Sequence, residues 1–245
     1  NYIYFNMVNG PTADIKVRKA LQMAVDREAM VSALYQYDEG QAGWLALPPN
    51  SWGYDESLID SVPKYDVEGA KKLLAEAGYA DGFTLEYYTG DSATSKKIGE
   101  MFQQFCAQID VTVNIHQAAW GTFSEIGASG NADAIAMSWT WYPDPYFYLN
   151  KMFHKESLGT LGNGQQFDIA EVNDLLDKAV AVSDQEKRAE LYKEALKIIT
   201  EQYAQIDYAV ANVNVGMSKK VQNYVVRPDK TIEVAGNGNN TWLSK

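Results

Sequence analysis

The residues best suited to chemistry form an aromatic run in the middle of the chain. A short apolar stretch, residues 134–138, leads into Trp139, Trp141 and Tyr142, and residues 143–145 read Pro-Asp-Pro. Two prolines fix two φ angles and remove two backbone donors, so a strand that begins at residue 134 must end in a rigid turn. Aromatic side chains at a strand end offer a flat apolar face with a polar tip. We therefore predict a binding site here, against the alternative of a core strand with an aromatic corner.

A second aromatic segment lies nearer the start of the chain. Residues 40–63 lose hydrophobic periodicity and contain Trp44, Trp52 and Tyr54 together with two adjacent prolines, which predicts a long, structured loop. Aromatic residues in loops suit recognition of a ligand without reaction on it. The candidate ligand-binding residues from the two segments are Ser138, Trp139, Thr140, Trp141, Tyr142, Asp144, Trp44 and Trp52.

Residues for catalysis or metal binding are sparse. Cys106 lies within an apolar helical pattern and is expected to be buried, and no Gly-x-Ser-x-Gly elbow is present. His116 and His154 are the two histidines, and neither sits in a metal-binding pattern. Most of the 32 acidic residues fall at helix caps or on solvated helix faces. We predict no catalytic residue, no metal and no cofactor; the rival enzyme hypothesis is a glycosidase, which would need a carboxylate pair about 5–10 Å apart.

Composition narrows the class of protein further. The 245 residues carry a net charge of −11, which disfavours nucleic acid and anionic lipid as partners. The single cysteine fits a protein that works outside the cytoplasm. The chain has no apolar run long enough to span a membrane and no secretory signal, and it starts without Met in strand-like sequence. We expect it to be part of something longer.

Hydrophobic periodicity predicts a partly parallel α/β sheet. The predicted strands cover residues 2–6, 83–88, 110–117 and 134–139, with strand-like sequence again at 206–215 and 222–226. Asp14, Asp26 and Asp66 are expected to cap helices, and Gly78 to end the third of them. Further helices are predicted at 95–108, 120–126, 168–182 and 184–203, the last two after a glycine-rich connection at 159–164.

Four segments, in this order and spacing, resemble the solute-binding proteins of family 5, the dipeptide- and oligopeptide-binding proteins of ABC importers. The resemblance covers essentially the whole chain and rests on Tyr2-Ile-Tyr-Phe-Asn6 with Asp14-Ile-Lys-Val-Arg-Lys-Ala-Leu21, Pro48-Pro-x-x-Trp52-Gly-Tyr54, Tyr65-Asp66 with Ala70-Lys-x-Leu-Leu-x-Glu-Ala-Gly-Tyr79, and Trp139-x-x-Tyr142-Pro-Asp-Pro145.

The resemblance implies a type II periplasmic-binding architecture in which two lobes close on a ligand. Residues 1–208 would form the second ligand-binding lobe, and residues 209–245 would be strands that join the missing N-terminal lobe. The residue at the Trp139 position would line the pocket. The implied protein is periplasmic or anchored by lipid at the cell surface, and it hands a peptide or oligosaccharide to a membrane permease. A docking surface for another protein is the third hypothesis.

One position departs from the pattern. The peptide-binding relatives carry Asp where this chain has Trp141, and that Asp pairs with the free ammonium of the peptide. An indole cannot replace a carboxylate in a charge-assisted hydrogen bond. Asp144 is the nearest acid, but a position between two prolines is expected to turn it away. We therefore expect a ligand that needs no free N-terminus, and we expect Trp139 to be partly exposed at the cleft.

Overall fold

The computed structural model describes residues 1–37, 39–140, 144–227, 235–236 and 239–244. The strands are β1 (Tyr2–Phe5), β2 (Gly40–Ala42), β3 (Phe83–Gly90), β4 (Val111–Ala118), β5 (Ala134–Met137), β6 (Gln205–Asp207), β7 (Ala209–Ala211), β8 (Val221–Gln222), β9 (Ala235–Gly236), β10 (Asn239–Asn240) and β11 (Trp242–Leu243). The α-helices are α1 (Ile15–Ala24), α2 (Arg27–Leu34), α3 (Val67–Glu76), α4 (Ala93–Ala107), α5 (Trp120–Ser129), α6 (Tyr146–Phe153), α7 (Ala170–Ala181) and α8 (Gln185–Glu201). Short 3₁₀ turns occur at Pro11–Ala13, Glu56–Ser61 and Lys155–Ser157.

A five-stranded mixed sheet in the order β4-β3-β5-β1-β6 organises the chain. Strand β3 runs parallel to β4 and to β5, whereas β1 runs antiparallel to β5 and β6. The predicted α/β lobe, with a partly parallel sheet flanked by helices, is confirmed. Because β4, β3, β5 and β6 all point the same way, their carboxyl ends meet at one edge of the sheet, the usual place for a ligand in such sheets.

Strand β1 separates two apolar cores. All four of its residues are buried. Tyr2 and Tyr4 pack into one core with residues of α6, α7 and α8, while Ile3 and Phe5 pack into the other with residues of α1, α3 and α4. Successive side chains of a strand point to opposite faces. The tyrosines of β1 therefore face one core and its apolar residues face the other, so neither face of the strand is exposed to solvent.

The predicted helix caps are present. The carboxylates of Asp14, Asp26 and Asp66 accept hydrogen bonds from the backbone N–H groups of Lys16, Ala29 and Gly69 at 2.7, 3.0 and 2.9 Å. Each satisfies a donor at the start of a helix that has no partner within the helix. Gly78, with a φ of +88°, follows the end of α3 as predicted. These acids are structural.

Two features differ from the sequence-based expectation. Residues 144 and 145 form the predicted turn, but it leads directly into the unpredicted helix α6, with Pro145 as the N-cap, a position where its missing N–H costs nothing. The strand-like run 206–215 is split: β6 belongs to the main sheet, while β7 leaves it and pairs with β2. Among the described residues, no helix is both long and apolar enough to cross a membrane.

Candidate functional site

A cleft of about 630 Å³ opens at the carboxyl ends of β5 and β6. Its walls come from residues 138–140 after β5, from the loop around Leu45 and Pro48, from Tyr148 of α6, and from Asp207 with the following strand β7. The volume falls in the range of roughly 300–1,000 Å³ that is usual for small-molecule sites. The sheet edge predicted by the strand directions is thus the edge that carries the cleft.

Three of the predicted site residues line this cleft: Ser138, Trp139 and Thr140. Strand β5 ends at Met137, and the next three residues are exposed. Trp139 is 36% exposed, as expected from a rigid exit of the strand into the cleft. Their placement agrees with a ligand-binding role, and the role itself stays a prediction. Trp141 and Tyr142 lie outside the described residues, so the expectation drawn from Trp141 also stays a prediction.

Trp44 is placed away from the cleft, contrary to the sequence-based assignment. Its neighbours Gly43 and Leu45 line the cleft, but the Trp44 ring packs on the core with two cations on it. The Arg27 guanidinium lies 5.1 Å and the Lys64 ammonium 4.6 Å from the ring centroid. Cation–π attraction and burial hold this indole on the protein side of the loop.

Trp52 and Asp144 both contact the side chain of Arg188, and neither of them is part of the cleft wall. Arg188 of α8 lies 5.2 Å from the Trp52 ring centroid, and its Nη2 is 3.0 Å from Oδ2 of Asp144. Asp144 also accepts the N–H of Tyr146 at 3.0 Å, which satisfies the first turn of α6. Asp144 is therefore a turn and capping residue with its own cation. Neither residue lines the cleft.

Asp207, which the sequence analysis did not single out, is an acid of the cleft wall. It is the last residue of β6. Gln205 Nε2 donates to its Oδ1 at 2.7 Å, and Arg27 Nε donates to its main-chain carbonyl at 3.0 Å. Burial raises the pKa of Asp207 to about 6, against the opposing effects of the Asn1 ammonium, Gln205 and Arg27. The available signal was the single acid within the strand-like run 206–215.

Two tyrosines form the floor beside Asp207. Tyr2 and Tyr148 meet edge to face with ring centroids 5.9 Å apart. The Tyr148 hydroxyl accepts from Gln205 Nε2 at 3.1 Å, so Gln205 links this hydroxyl to the Asp207 carboxylate. Burial raises the pKa of both tyrosines well above the usual value, and both stay neutral. Among the described residues, this floor presents two aromatic rings beside one carboxylate.

Candidate catalytic groups are few among the described residues of the cleft. Asp207 is the one carboxylate among the described residues that line the cleft, whereas a glycosidase needs two. His116 on the edge strand β4 interacts with Glu86 of β3, and His154 is buried near α7, beside Asp177. Cys106 is fully buried, and burial raises the pKa of its thiol. Within the described part of the chain, no group of three or more metal-binding side chains occurs.

Comparison with known proteins gives the family. Residues 1–160 match the profile of "Bacterial extracellular solute-binding proteins, family 5 Middle". Heme-binding protein A of Haemophilus influenzae is 32% identical over 233 residues, which are 93% of this chain and 42% of that protein. The dipeptide-binding protein of Pseudomonas aeruginosa is also 32% identical over 233 residues, 93% of this chain and 43% of its own length.

A solved structure gives the same answer. The ABC transporter-associated periplasmic binding protein DppA of Helicobacter pylori, in complex with the peptide STSA, superposes with a TM-score of 0.85 at 26% identity. The match covers 100% of this chain and 47% of that protein. The chain thus spans less than half the length of these relatives. A profile match over residues 1–160, the four motifs and the shared fold place this chain among the bacterial extracellular solute-binding proteins of family 5.

Proposed function

We propose that this chain is one ligand-binding lobe of an extracytoplasmic receptor that delivers a peptide or peptide-like solute to an ABC importer. The observation that carries the proposal is the open cleft at the carboxyl ends of β5 and β6, walled by Trp139, Tyr148 and Asp207. Two relatives support a peptide as the ligand, one by its name as a dipeptide-binding protein and one by its complex with a peptide.

The proposed lobe comprises residues 1–208, and residues 209–245 would join the other lobe. Two observations support the boundary. Strand β7 leaves the main sheet directly after β6. Beyond it, Val215, Met217, Val225 and Val226 are between 38% and 55% exposed. Apolar side chains exposed along one segment are expected where their packing partners belong to another part of the protein.

A peptide fits the described cleft better than the rival ligands. A glycosidase is disfavoured because the described lining offers one carboxylate. An oligosaccharide would also use Trp139 as a stacking platform, but one relative is a dipeptide-binding protein and another holds a peptide, which favours the peptide. A flat protein-docking surface is disfavoured because the aromatic residues of the site stand in a concave cleft.

The test starts with the intact receptor, purified from its native host and examined by native mass spectrometry. We expect a co-purified peptide or peptide-like molecule that is released on denaturation. Titration calorimetry then compares the intact receptor with the isolated 245-residue chain. A two-lobed site buries most of its ligand between the lobes, so the isolated chain should fold but bind weakly or not at all. Equal affinity of the two proteins would contradict the proposal, as would a co-purified ligand that is a sugar.

A further inference from the structure

Two walls of the cleft lead into one cluster of side chains that lies outside it. Residues 48–50 line the cleft, and Trp52 and Gly53 follow them in the same loop. Tyr148 of α6 also lines the cleft, and residues 144–145 lead directly into that helix. Both segments contact α8, and the Arg188 cluster consists of Trp52, Gly53, Asp144, Pro145, Arg188 and Tyr192. None of these six described residues is part of the cleft wall, so a change in the cluster reaches the cleft by moving its walls.

Gly53 shows how closely the loop, the turn before α6 and helix α8 meet. A Cβ atom added to Gly53 would lie 2.9 Å from Cγ of Pro145 and 3.2 Å from Cβ of Tyr192. Protein interiors are close-packed, so an added methyl group at such a point must displace its neighbours. The loop therefore rests directly on the turn and on α8.

Arg188 joins the two segments. Its guanidinium lies 5.2 Å from the Trp52 ring centroid, and its Nη2 is 3.1 Å from Oδ1 and 3.0 Å from Oδ2 of Asp144. Its Nε donates to the Ala179 carbonyl at 3.0 Å, which ties the same group to the last turn of α7. A planar guanidinium can stack on a ring and pair with a carboxylate at the same time. Arg188 therefore holds a loop residue and a turn residue in one arrangement.

Short hydrogen-bonded turns connect the Arg188 cluster to the cleft walls. In the loop, the N–H of Ser51 donates to the Pro48 carbonyl at 2.9 Å, and the N–H of Tyr54 donates to the Ser51 carbonyl at 3.0 Å. At the start of α6, the N–H of Tyr148 donates to the Pro145 carbonyl at 3.0 Å. Each of the two walls is thus one hydrogen-bonded turn away from the cluster.

We propose that Arg188 is a positioning residue of the receptor, which fixes residues 48–50 and Tyr148 relative to each other without contacting the ligand. The inference rests on the proposed function in taking the cleft as the ligand site. A partly exposed ion pair contributes little to stability, whereas a displacement of about 1 Å at a site can be costly for its function. Loss of Arg188 therefore changes ligand affinity more than it changes stability.

The first experiment compares Arg188→Gln with a matched control in the intact receptor. The control Lys187→Gln makes the same change of charge at the neighbouring, exposed residue of α8. The probes are the dipeptide Ala-Ala and the tetrapeptide Ser-Thr-Ser-Ala, and affinities are measured by titration calorimetry. We expect Arg188→Gln to weaken binding of both peptides by about three- to thirtyfold, as for residues that act on a site from a distance, and Lys187→Gln by less than about twofold.

Two further variants separate positioning from a general loss of structure. Arg188→Lys keeps a cation beside Asp144 and should recover part of the lost affinity. Gly53→Ala disturbs the same cluster without a change of charge, so it should also weaken binding, and its loss should not add fully to that of Arg188→Gln. Wild-type affinity in Arg188→Gln, or losses that add fully in the double variant, would overturn the proposal. Denaturant unfolding checks that each variant is folded.

A second experiment needs no ligand. The intact receptor is labelled with 5-fluorotryptophan, and the fluorine resonance of Trp139 is identified by its disappearance in Trp139→Phe. We expect Arg188→Gln to shift, broaden or split this resonance, because the cleft walls then exchange between arrangements, and we expect Lys187→Gln to leave it unchanged. A Trp139 resonance that is identical in Arg188→Gln and the wild type would contradict a positioning role.

The two experiments distinguish failure of this inference from failure of the proposed function. If the wild-type receptor binds neither peptide, the peptide proposal fails, and the fluorine spectrum alone decides the role of Arg188. If the receptor binds the peptides but neither the affinity nor the spectrum responds to Arg188→Gln, the proposed function stands and the positioning role is wrong.

Discussion

Two regions of this protein each contain an indole and a carboxylate, and they differ in the contacts that the chain's own cations make with them. Around the loop at residues 44–52, Arg27 and Lys64 lie on Trp44, and Arg188 joins Trp52 to Asp144. In the cleft, the Asp207 carboxylate accepts a hydrogen bond from the neutral Gln205 side chain, and Trp139 is 36% exposed. The same residue types thus contact cations of the chain in one region and line the cleft in the other.

The difference shows what makes an aromatic or acidic residue available to a ligand. A cation already held by the chain takes up the π face and the carboxylate oxygens that a ligand would use. Such a cluster contributes to stability. Trp139 instead lines the cleft and is 36% exposed, so its ring is available for contact with another molecule.

The largest effect that would test this contrast is the loss of stability when Trp44 is replaced by alanine. We expect Trp44→Ala to lower the free energy of unfolding by about 2–4 kcal/mol, because it removes packing from the core and uncovers two cations. Trp139→Ala should lower it by less than about 1 kcal/mol, since Trp139 is 36% exposed. Denaturant unfolding of the two variants provides the measurement. A larger loss for Trp139 than for Trp44 would reverse the comparison.

A second effect is a gain in stability at Asp207. The folded-state pKa of about 6 lies above the ordinary value of 3.8, so the folded protein binds this proton more tightly than the unfolded chain does. The resulting cost is absent below about pH 4, grows between about pH 4 and 6, and is complete above that range. At pH 7, Asp207→Asn should therefore stabilise the ligand-free protein by at most about 3 kcal/mol.

The stability of Asp207→Asn is best followed by denaturant unfolding at several pH values. The gain over the wild type should disappear below about pH 4. A variant less stable than the wild type at pH 7 would show that the charge of Asp207 is already compensated within the protein.

A third, smaller effect is on affinity at Trp139. We expect Trp139→Ala to weaken ligand binding to the intact receptor by about tenfold, near 1.4 kcal/mol, and Trp139→Phe to recover part of the loss. Trp120 is the matched control, since it is 69% exposed and lies outside the cleft wall. Equal losses of ligand affinity for Trp120→Ala and Trp139→Ala would contradict the assignment of Trp139 as a ligand-contacting residue.

The smallest effect concerns the ion pair of Asp144 with Arg188. Their side chains are 31% and 21% exposed, so solvent and salt screen the interaction. Asp144→Asn should lower the free energy of unfolding by about 0.5–1 kcal/mol, and less in 1 M salt. A loss of stability above about 2 kcal/mol that does not depend on salt would show that the ion pair is shielded from solvent, contrary to this prediction.

Sequence reasoning located the main elements because their signals are local. Caps at Asp14, Asp26 and Asp66 depend on hydrogen bonds to residues two or three positions away, and the predicted strands match β1, β3, β4 and β5 closely. Helix α6 was missed because the prolines before it suit both a turn and the first turn of a helix. Only the packing against neighbouring helices decides that the turn continues into a helix.

The amino-acid sequence by itself determined the fold class and the family, and it predicted that the strand ending near residue 138 leads into a binding site. The tertiary structure alone decided which aromatic and acidic residues are free to meet a ligand. Trp44 and Trp139 are both tryptophans in irregular segments, and Asp144 and Asp207 are both acids near strand ends or turns. Their difference lies in cations contributed from distant positions: Arg188 is 44 residues from Asp144 in the chain. Local sequence cannot encode that contact, because it forms only when β5, α6 and α8 have packed together.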